Sequence, residues 1–246
     1  MSLVICCYLW SDPHWRHNNT FTYKPAHVNH LARMVAQNIS VPYEFACITD
    51  IPADHSIERG FDPGIRLIPL DTTTHLPNTE FAKLMTFHPN GKEIIGEKVL
   101  QLDLDTIICG SLDPIVDRDE DLVVWRNPTR IPYDNPIKKG RPYYNGSVIL
   151  HKCGTMPEIW QNFVPQPFIR DTQVWMSHLV GPDAPHWTHK DGIYRLARED
   201  TPGSGIWGDL PANARIVNFV GSDHKPNRPE VRAANPWIEA LWSEGL

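Results

Sequence analysis

Ten residues near the middle of the chain, Val99-Leu-Gln-Leu-Asp103-Leu-Asp105-Thr-Ile-Ile108, constrain the fold more than any other stretch. The run is apolar enough to be a strand buried in a sheet, yet it carries two carboxylates. Side chains along a strand alternate faces. Unbroken pairing therefore predicts Val99, Gln101, Asp103 and Asp105 on one face and Leu100, Leu102 and Leu104 on the other. Two like charges a pleat apart are costly to bury unless they are paired or bound to a metal. The carboxyl ends of strands in open α/β sheets are where such proteins bind ligands. Oxygen ligands of this kind suit Mg²⁺ or Mn²⁺, with the shell completed by phosphates and water. The bland alternative is a solvated strand end with two surface aspartates.

The rest of the chain supplies a sheet for that strand. Leu3 to Trp10 is a continuous apolar run, as expected of a strand buried on both faces. Pro25 stands at a helix N1 position ahead of Val28, Leu31, Ala32, Val35 and Ile39, a spacing that lines one helical face. Tyr43 to Ile48 and Ile65 to Leu70 read as further strands, and Thr79 to His88 as a helix ended by Pro89. Leu122 to Trp125 and Ser147 to Leu150 read as strands around a proline-rich loop. Pro157 to Phe163, Asp171 to Leu179 and Trp237 to Trp242 read as helices, and Ile216 to Val220 as a late buried strand. The prediction is one α/β domain, residues 1–246, with a mixed, mostly parallel sheet.

Composition narrows the function. At 246 residues, 41% hydrophobic and 21% charged, the chain is ordinary for one globular domain. A formal charge of -6 leaves no basic footprint for general nucleic-acid binding, so small-molecule partners are expected. No apolar run approaches the roughly 20 residues a membrane helix needs, and Leu3 to Trp10 lacks the flanks of a signal peptide; Met1 is the expected start. Five cysteines, odd in number and sparse, fit a reducing cytoplasm. The pairs His27/His30 and His186/His189 lack the cysteine or acidic company of a zinc site. Trp10, Trp125 and Trp187 flank expected cleft loops, where aromatic faces stack on sugars. Arg126, Arg130, Lys138, Lys139 and Arg141 form a basic loop, read either as solvated or as a contact for an anionic acceptor.

Asp-x-Asp-x-Thr after an apolar strand also resembles the nucleophile loop of haloacid-dehalogenase-like phosphatases. That loop usually sits on the first strand, however, and here about 100 residues of α/β sequence precede it. The fuller segment, continued by Cys109-Gly-Ser-Leu-Asp113-Pro, resembles the D-x-D stretch of metal-dependent GT-A fold glycosyltransferases, of the glycogenin and lipopolysaccharide-galactosyltransferase type and its bacterial and phage relatives. Other stretches are similar in the same order: Phe45 to Asp50, Phe81-Ala-Lys83-Leu84, Tyr144-Asn145-Gly146-Ser147-Val148, Asp171-Thr-Gln173, and Ile216 to Pro226 against an H-F-x-G-x-x-K-P segment.

The resemblance implies a single Rossmann-like nucleotide-sugar-binding domain, with residues 1–110 its nucleotide half and 111–246 its acceptor-side half. It implies hexose transfer from a nucleotide sugar, uridine-linked, to a glycan, a lipopolysaccharide-like molecule or another hydroxyl acceptor, with Mn²⁺ or Mg²⁺. Asp105 would ligate the metal, and Asp103 would share it or meet the ribose. Lys83 would orient Asp103 or reach a phosphate, while Gly221 and Lys225 would meet the diphosphate. Cys7, Tyr8, Trp10 and Asp12 would line the base pocket, with Thr49 and Asp50 nearby. Asn145, Asp171 and Gln173 would face the transferred sugar. The chain departs from the pattern in two places. Asn218 stands where the third ligand, a histidine, is expected, and one extra residue before Lys225 offers His224 instead; Thr172 separates Asp171 from Gln173. A relative that binds nucleotide sugar or glycan without turnover is the alternative from another class.

Overall fold

The computed structural model describes residues 2–10, 23–70, 79–127, 142–166, 169, 171–197, 205–219, 221 and 224–242. Strand β1, Leu3–Leu9, is buried along its whole length. Its odd residues enter one hydrophobic cluster and its even residues the other, which is why the run is apolar without alternation. Helix α1, Pro25–Gln37, begins at the expected proline and lays Val28, Leu31, Met34 and Val35 on the first cluster. Strands β2 (Glu44–Thr49) and β3 (Arg66–Pro69) follow, and then a 3₁₀ helix over Thr79–Phe87.

The Asp-x-Asp region is not one strand. Strand β4 ends at Leu102 (Lys98–Leu102) and β5 occupies Thr106–Ile108, with a turn at Asp103-Leu104-Asp105 between them. The two strands belong to different sheets. One has seven strands in the order β3-β2-β1-β4-β7-β6-β8, where β6 is Leu122–Arg126, β7 Tyr144–Lys152 and β8 His186–Trp187. Only β7 runs against the others. The other sheet has four strands, β10-β9-β11-β5, with β9 at Ile193–Leu196, β10 at Gly205–Ile206 and β11 at Ile216–Asn218. It packs with α1 on the first cluster, while the 3₁₀ helix, α4 (Glu158–Gln161) and α5 (Thr172–Val180) cover the opposite face of the large sheet.

The described residues also form the short helices α2 (Gly91–Ile94), α3 (Asp113–Val116), α6 (Pro229–Ala234) and α7 (Trp237–Leu241). Both halves of the sequence feed both sheets. Asp113, in the segment with the family resemblance, acts locally. Its carboxylate accepts from the Ser40 N–H at 2.8 Å and the Ser40 hydroxyl at 2.7 Å, fixing α3 beyond the end of α1.

Candidate active site

The break after Leu102 decides the site. Alternation along one strand would place both carboxylates on one sheet face. The chain instead leaves the large sheet at Asp103, inserts Leu104 into the core (5% exposed) and enters the small sheet after Asp105. Each carboxylate then meets its own set of partners at the carboxyl edge of β4.

Asp103 is held on both oxygens. The Lys83 ammonium donates to Oδ1 at 2.5 Å and the Ser147 hydroxyl to Oδ2 at 2.9 Å. Lys83 is presented by the 3₁₀ helix, whose backbone carbonyl at Lys83 accepts from the Tyr8 hydroxyl (3.2 Å) and the Thr86 hydroxyl (3.1 Å). Ser147 reaches Asp103 because it stands opposite it, one step beyond the Leu102–Val148 pair of the antiparallel β4–β7 register, and the Asp103 N–H donates to the Ser147 carbonyl at 3.1 Å. The Asn145 side-chain oxygen accepts from the Ser147 N–H at 2.8 Å and braces it. Ser147 is a site residue that the sequence reading missed; its only signal was its place two residues after Asn145 in the matched stretch.

Asp105 pairs with Lys225, whose ammonium also donates to the Phe219 carbonyl (3.1 Å) and the Tyr23 hydroxyl (3.4 Å). The two charged side chains are 15% and 13% exposed, a largely desolvated pair. Burial, reinforced by the charges of Asp105 and Asp103 and a hydrogen bond to Asp105, holds the Tyr23 hydroxyl well above the ordinary tyrosine range, so it stays protonated. Tyr23 was also missed: it lies in the polar stretch before α1, and no local pattern ties it to a residue beyond position 100.

The expected third ligand behaves differently. Asn218 stands opposite Thr106 in the β11–β5 pairing, and its side-chain oxygen accepts from the Thr106 hydroxyl at 2.8 Å. Its amide nitrogen is buried with no partner among the described residues. Asn218 is thus a brace between two strands. His224 meets Trp207 edge to face, ring centroids 6.0 Å apart, while its neighbour Lys225 turns to Asp105. Among the described residues no group of three His, Cys, Asp or Glu side chains gathers to hold an ion. The expected set of Asp103, Asp105 and His224 is therefore not assembled as a cage.

The donor set still fits an ion that arrives with a phosphate ligand. Mg²⁺ and Mn²⁺ at nucleotide sites commonly rest on one or two carboxylates, the remaining positions going to phosphate and water. Asp103 and Asp105, separated by one residue at a bend, are that kind of donor.

The other expected residues fall into two groups. Gln173 lies across Gly146: a β-carbon added there would stand 3.0 Å from the Gln173 side chain, so the glycine lets α5 approach between Asn145 and Ser147. Asp171 is the N-cap of α5, its carboxylate accepting from the Val174 N–H at 2.9 Å. Trp10 packs edge to face with Tyr8 just past the end of β1. Asp50 is exposed at the end of β2, while the Thr49 hydroxyl accepts from the Ile51 N–H at 3.2 Å. Gly221 adopts φ +85°, a conformation L side chains rarely take, with open space around it.

Cys7, by contrast, is wholly inside the core, because the odd residues of β1 face α1 and not a cleft. Trp125 and Trp187 are likewise fully buried, both in the first hydrophobic cluster. Arg126 sits over the Tyr144 ring at 5.8 Å. Asp12, Arg130, Lys138, Lys139 and Arg141 lie outside the described residues.

No family model and no curated protein sequence matches the chain. Solved structures do. The galactosyltransferase LgtC, solved in complex with donor and acceptor sugar analogs, superposes with a TM-score of 0.58 at 14% identity, covering 99% of this chain and 97% of that one. The fold is that of the GT-A glycosyltransferases. An active-site mutant of LgtC matches over the same shares at TM-score 0.57 and 15% identity. The apo-form glycosyltransferase GlyE of Streptococcus pneumoniae TIGR4 matches at 0.51 and 13%, over 93% of this chain and 57% of that one. No helix among the described residues is long and apolar enough to cross a membrane.

Proposed function

We propose that the chain is a glycosyltransferase that moves a hexose from a UDP-sugar to a hydroxyl acceptor, a glycan or lipopolysaccharide-like molecule. The observation that carries the reading is the pairing, at the carboxyl edge of a GT-A sheet, of two aspartates with two lysines drawn from far apart in the chain. Two cations and two anions at one edge offer partners both to a diphosphate and to the ion that accompanies it. Asp103 and Asp105 would hold Mn²⁺ or Mg²⁺, which when bound offsets the charge that develops on the leaving nucleoside diphosphate. Lys225 would place a point charge on that diphosphate. Lys83 and Ser147 fix the orientation of Asp103 toward ribose or ion. Gln173 and Asn145 would hydrogen-bond the transferred sugar, and Asp171 fixes the start of the helix that carries Gln173. Trp10, Thr49 and Asp50 would lie along the nucleoside. The five free cysteines, four of them buried, fit a cytoplasmic setting.

One observation favours a binding relative without turnover as the second reading: the third-ligand position holds an asparagine already committed to Thr106. Thermal shift with a panel of nucleotide sugars, with and without Mn²⁺, combined with release of free UDP, separates the two. A ligand that binds only the native state raises its melting temperature by mass action. Stabilisation with UDP release supports transfer, and stabilisation without release supports the binding relative. Absence of both for every nucleotide sugar refutes the proposal.

Ser147→Ala tests the positioning of Asp103. Loss of a group that orients a ligating residue typically costs about 10–100-fold. The expected result is a fall of that size in Mn²⁺-dependent UDP release, with the circular dichroism spectrum unchanged. Wild-type activity would show that Lys83 alone orients the carboxylate.

A further inference from the structure

We infer that Gln101, buried beneath the acidic turn, is a positioning residue: its amide ties the helix that presents Lys83 to the segment of β7 that presents Asn145 and Ser147, and so sets the spacing between the phosphate side and the sugar side of the site. The inference rests on the proposed function and adds to it a residue that acts only through others.

Gln101 is 0% exposed and stands on β4, two residues before Asp103. Its neighbours on that face, Val99 on the same strand and Ile149 opposite it on β7, belong to the second hydrophobic cluster. An apolar side chain would pack there without desolvating an amide, so the amide needs partners. It has one at each end. The nitrogen donates to the Gly146 carbonyl at 3.3 Å, and the oxygen accepts from the Thr86 hydroxyl at 3.4 Å. The Gly146 carbonyl dictates which end of the amide faces it, because only the nitrogen can donate.

Each partner leads to the site in one step. Thr86 lies on the 3₁₀ helix and shares its hydroxyl hydrogen with the Lys83 carbonyl at 3.1 Å. Gly146 lies where the β6–β7 register slips, between Asn145 opposite Trp125 and Ile149 opposite Val124. The Gln173 side chain packs over it. Lys83 and Ser147 then meet on the two oxygens of Asp103. The contacts close into a ring that runs from Gln101 through Thr86, Lys83, Asp103, Ser147 and Gly146 back to Gln101. A buried polar network of this kind rigidifies the elements it joins. Without its amide, the helix and the bulge would be held at this point by apolar packing alone, and a misplacement of about 1 Å can cost roughly 100-fold in rate.

The test is steady-state release of UDP from UDP-galactose and UDP-glucose with Mn²⁺, in Gln101→Met, Thr86→Val and the double variant. Methionine keeps the length of glutamine and valine the shape of threonine, and each removes the hydrogen bond. In Gln101→Met, kcat should fall about 10–100-fold while KM for the donor stays nearly constant and the circular dichroism spectrum is native. The effects should not add: the double variant should be little worse than Gln101→Met. Thr86→Ser, which keeps the hydroxyl, should recover most of what Thr86→Val loses. If Gln101→Met proves unfolded by thermal shift, Thr86→Val and Thr86→Ser carry the comparison.

A folded Gln101→Met chain with wild-type kcat, a loss confined to KM, or effects that simply add would overturn the inference and leave the proposed function standing. A wild-type chain that releases no UDP from either donor would overturn both.

Discussion

Asp105→Asn is expected to reduce Mn²⁺-dependent UDP-sugar hydrolysis by more than about 100-fold while the chain stays folded. Removing a group that merely orients a ligand costs up to about 100-fold, and Asp105 would be a ligand itself. Asparagine keeps the shape and one acceptor oxygen but loses the anionic oxygen that a hard cation prefers. The variant also leaves the Lys225 ammonium without its counter-charge in a site where the pair is 13% and 15% exposed. Breaking a buried pair costs about 3–5 kcal/mol at most, less here because an acceptor remains. A single domain typically has about 5–15 kcal/mol of stability, so a lowered melting temperature with a native circular dichroism spectrum is the expected accompaniment. Calorimetry of Mn²⁺ with UDP checks the binding half of the prediction, and unchanged affinity would remove Asp105 from the metal site.

Leu104→Asp is expected to prevent accumulation of soluble, folded protein. Leu104 is 5% exposed and packs into the cluster shared by α1 and the small sheet, between two residues whose carboxylates face the site. An aspartate there has no partner and costs several kcal/mol, a large share of the total. The same residue anchors the turn that splays Asp103 and Asp105 toward different lysines. Leu104→Met, close in volume, should fold and keep its activity within a few-fold, since volume-conserving core swaps usually cost less than about 1.5 kcal/mol. A folded, monodisperse Leu104→Asp chain would show that the turn is not anchored in the core.

The two variants also show how far the sequence can be read. Burial of Leu104 follows from alternation along an assumed strand, and the residue is buried, but for a different reason: the strand stops at Leu102 and the chain crosses between sheets. Alternation is a local rule and cannot say where pairing ends, because the partners that take over at Thr106 lie on β11, more than 100 residues later. Strands β8, β9 and β10 went unread for a related reason. Two of them are two residues long, and none has enough alternation to separate it from a loop. The two-sided burial of β1, the proline at the start of α1 and the helix capped by Asp171 were legible, since each depends on residues within a turn or two of one another.

By itself the sequence determined an α/β fold built on a strand buried on both faces, and an acidic pair at the end of a central strand, because apolar runs, helix starts and carboxylate spacing are written locally. Only the tertiary structure decided what those carboxylates meet. Lys225 lies 120 positions from Asp105, Ser147 lies 44 from Asp103, and Tyr23 lies 202 from Lys225. Ion pairs and hydrogen bonds act over a few ångströms, so contacts across such separations exist only once two sheets have closed on a shared core. The same closure set Asn218 against Thr106 and turned Lys225, not His224, toward the acid.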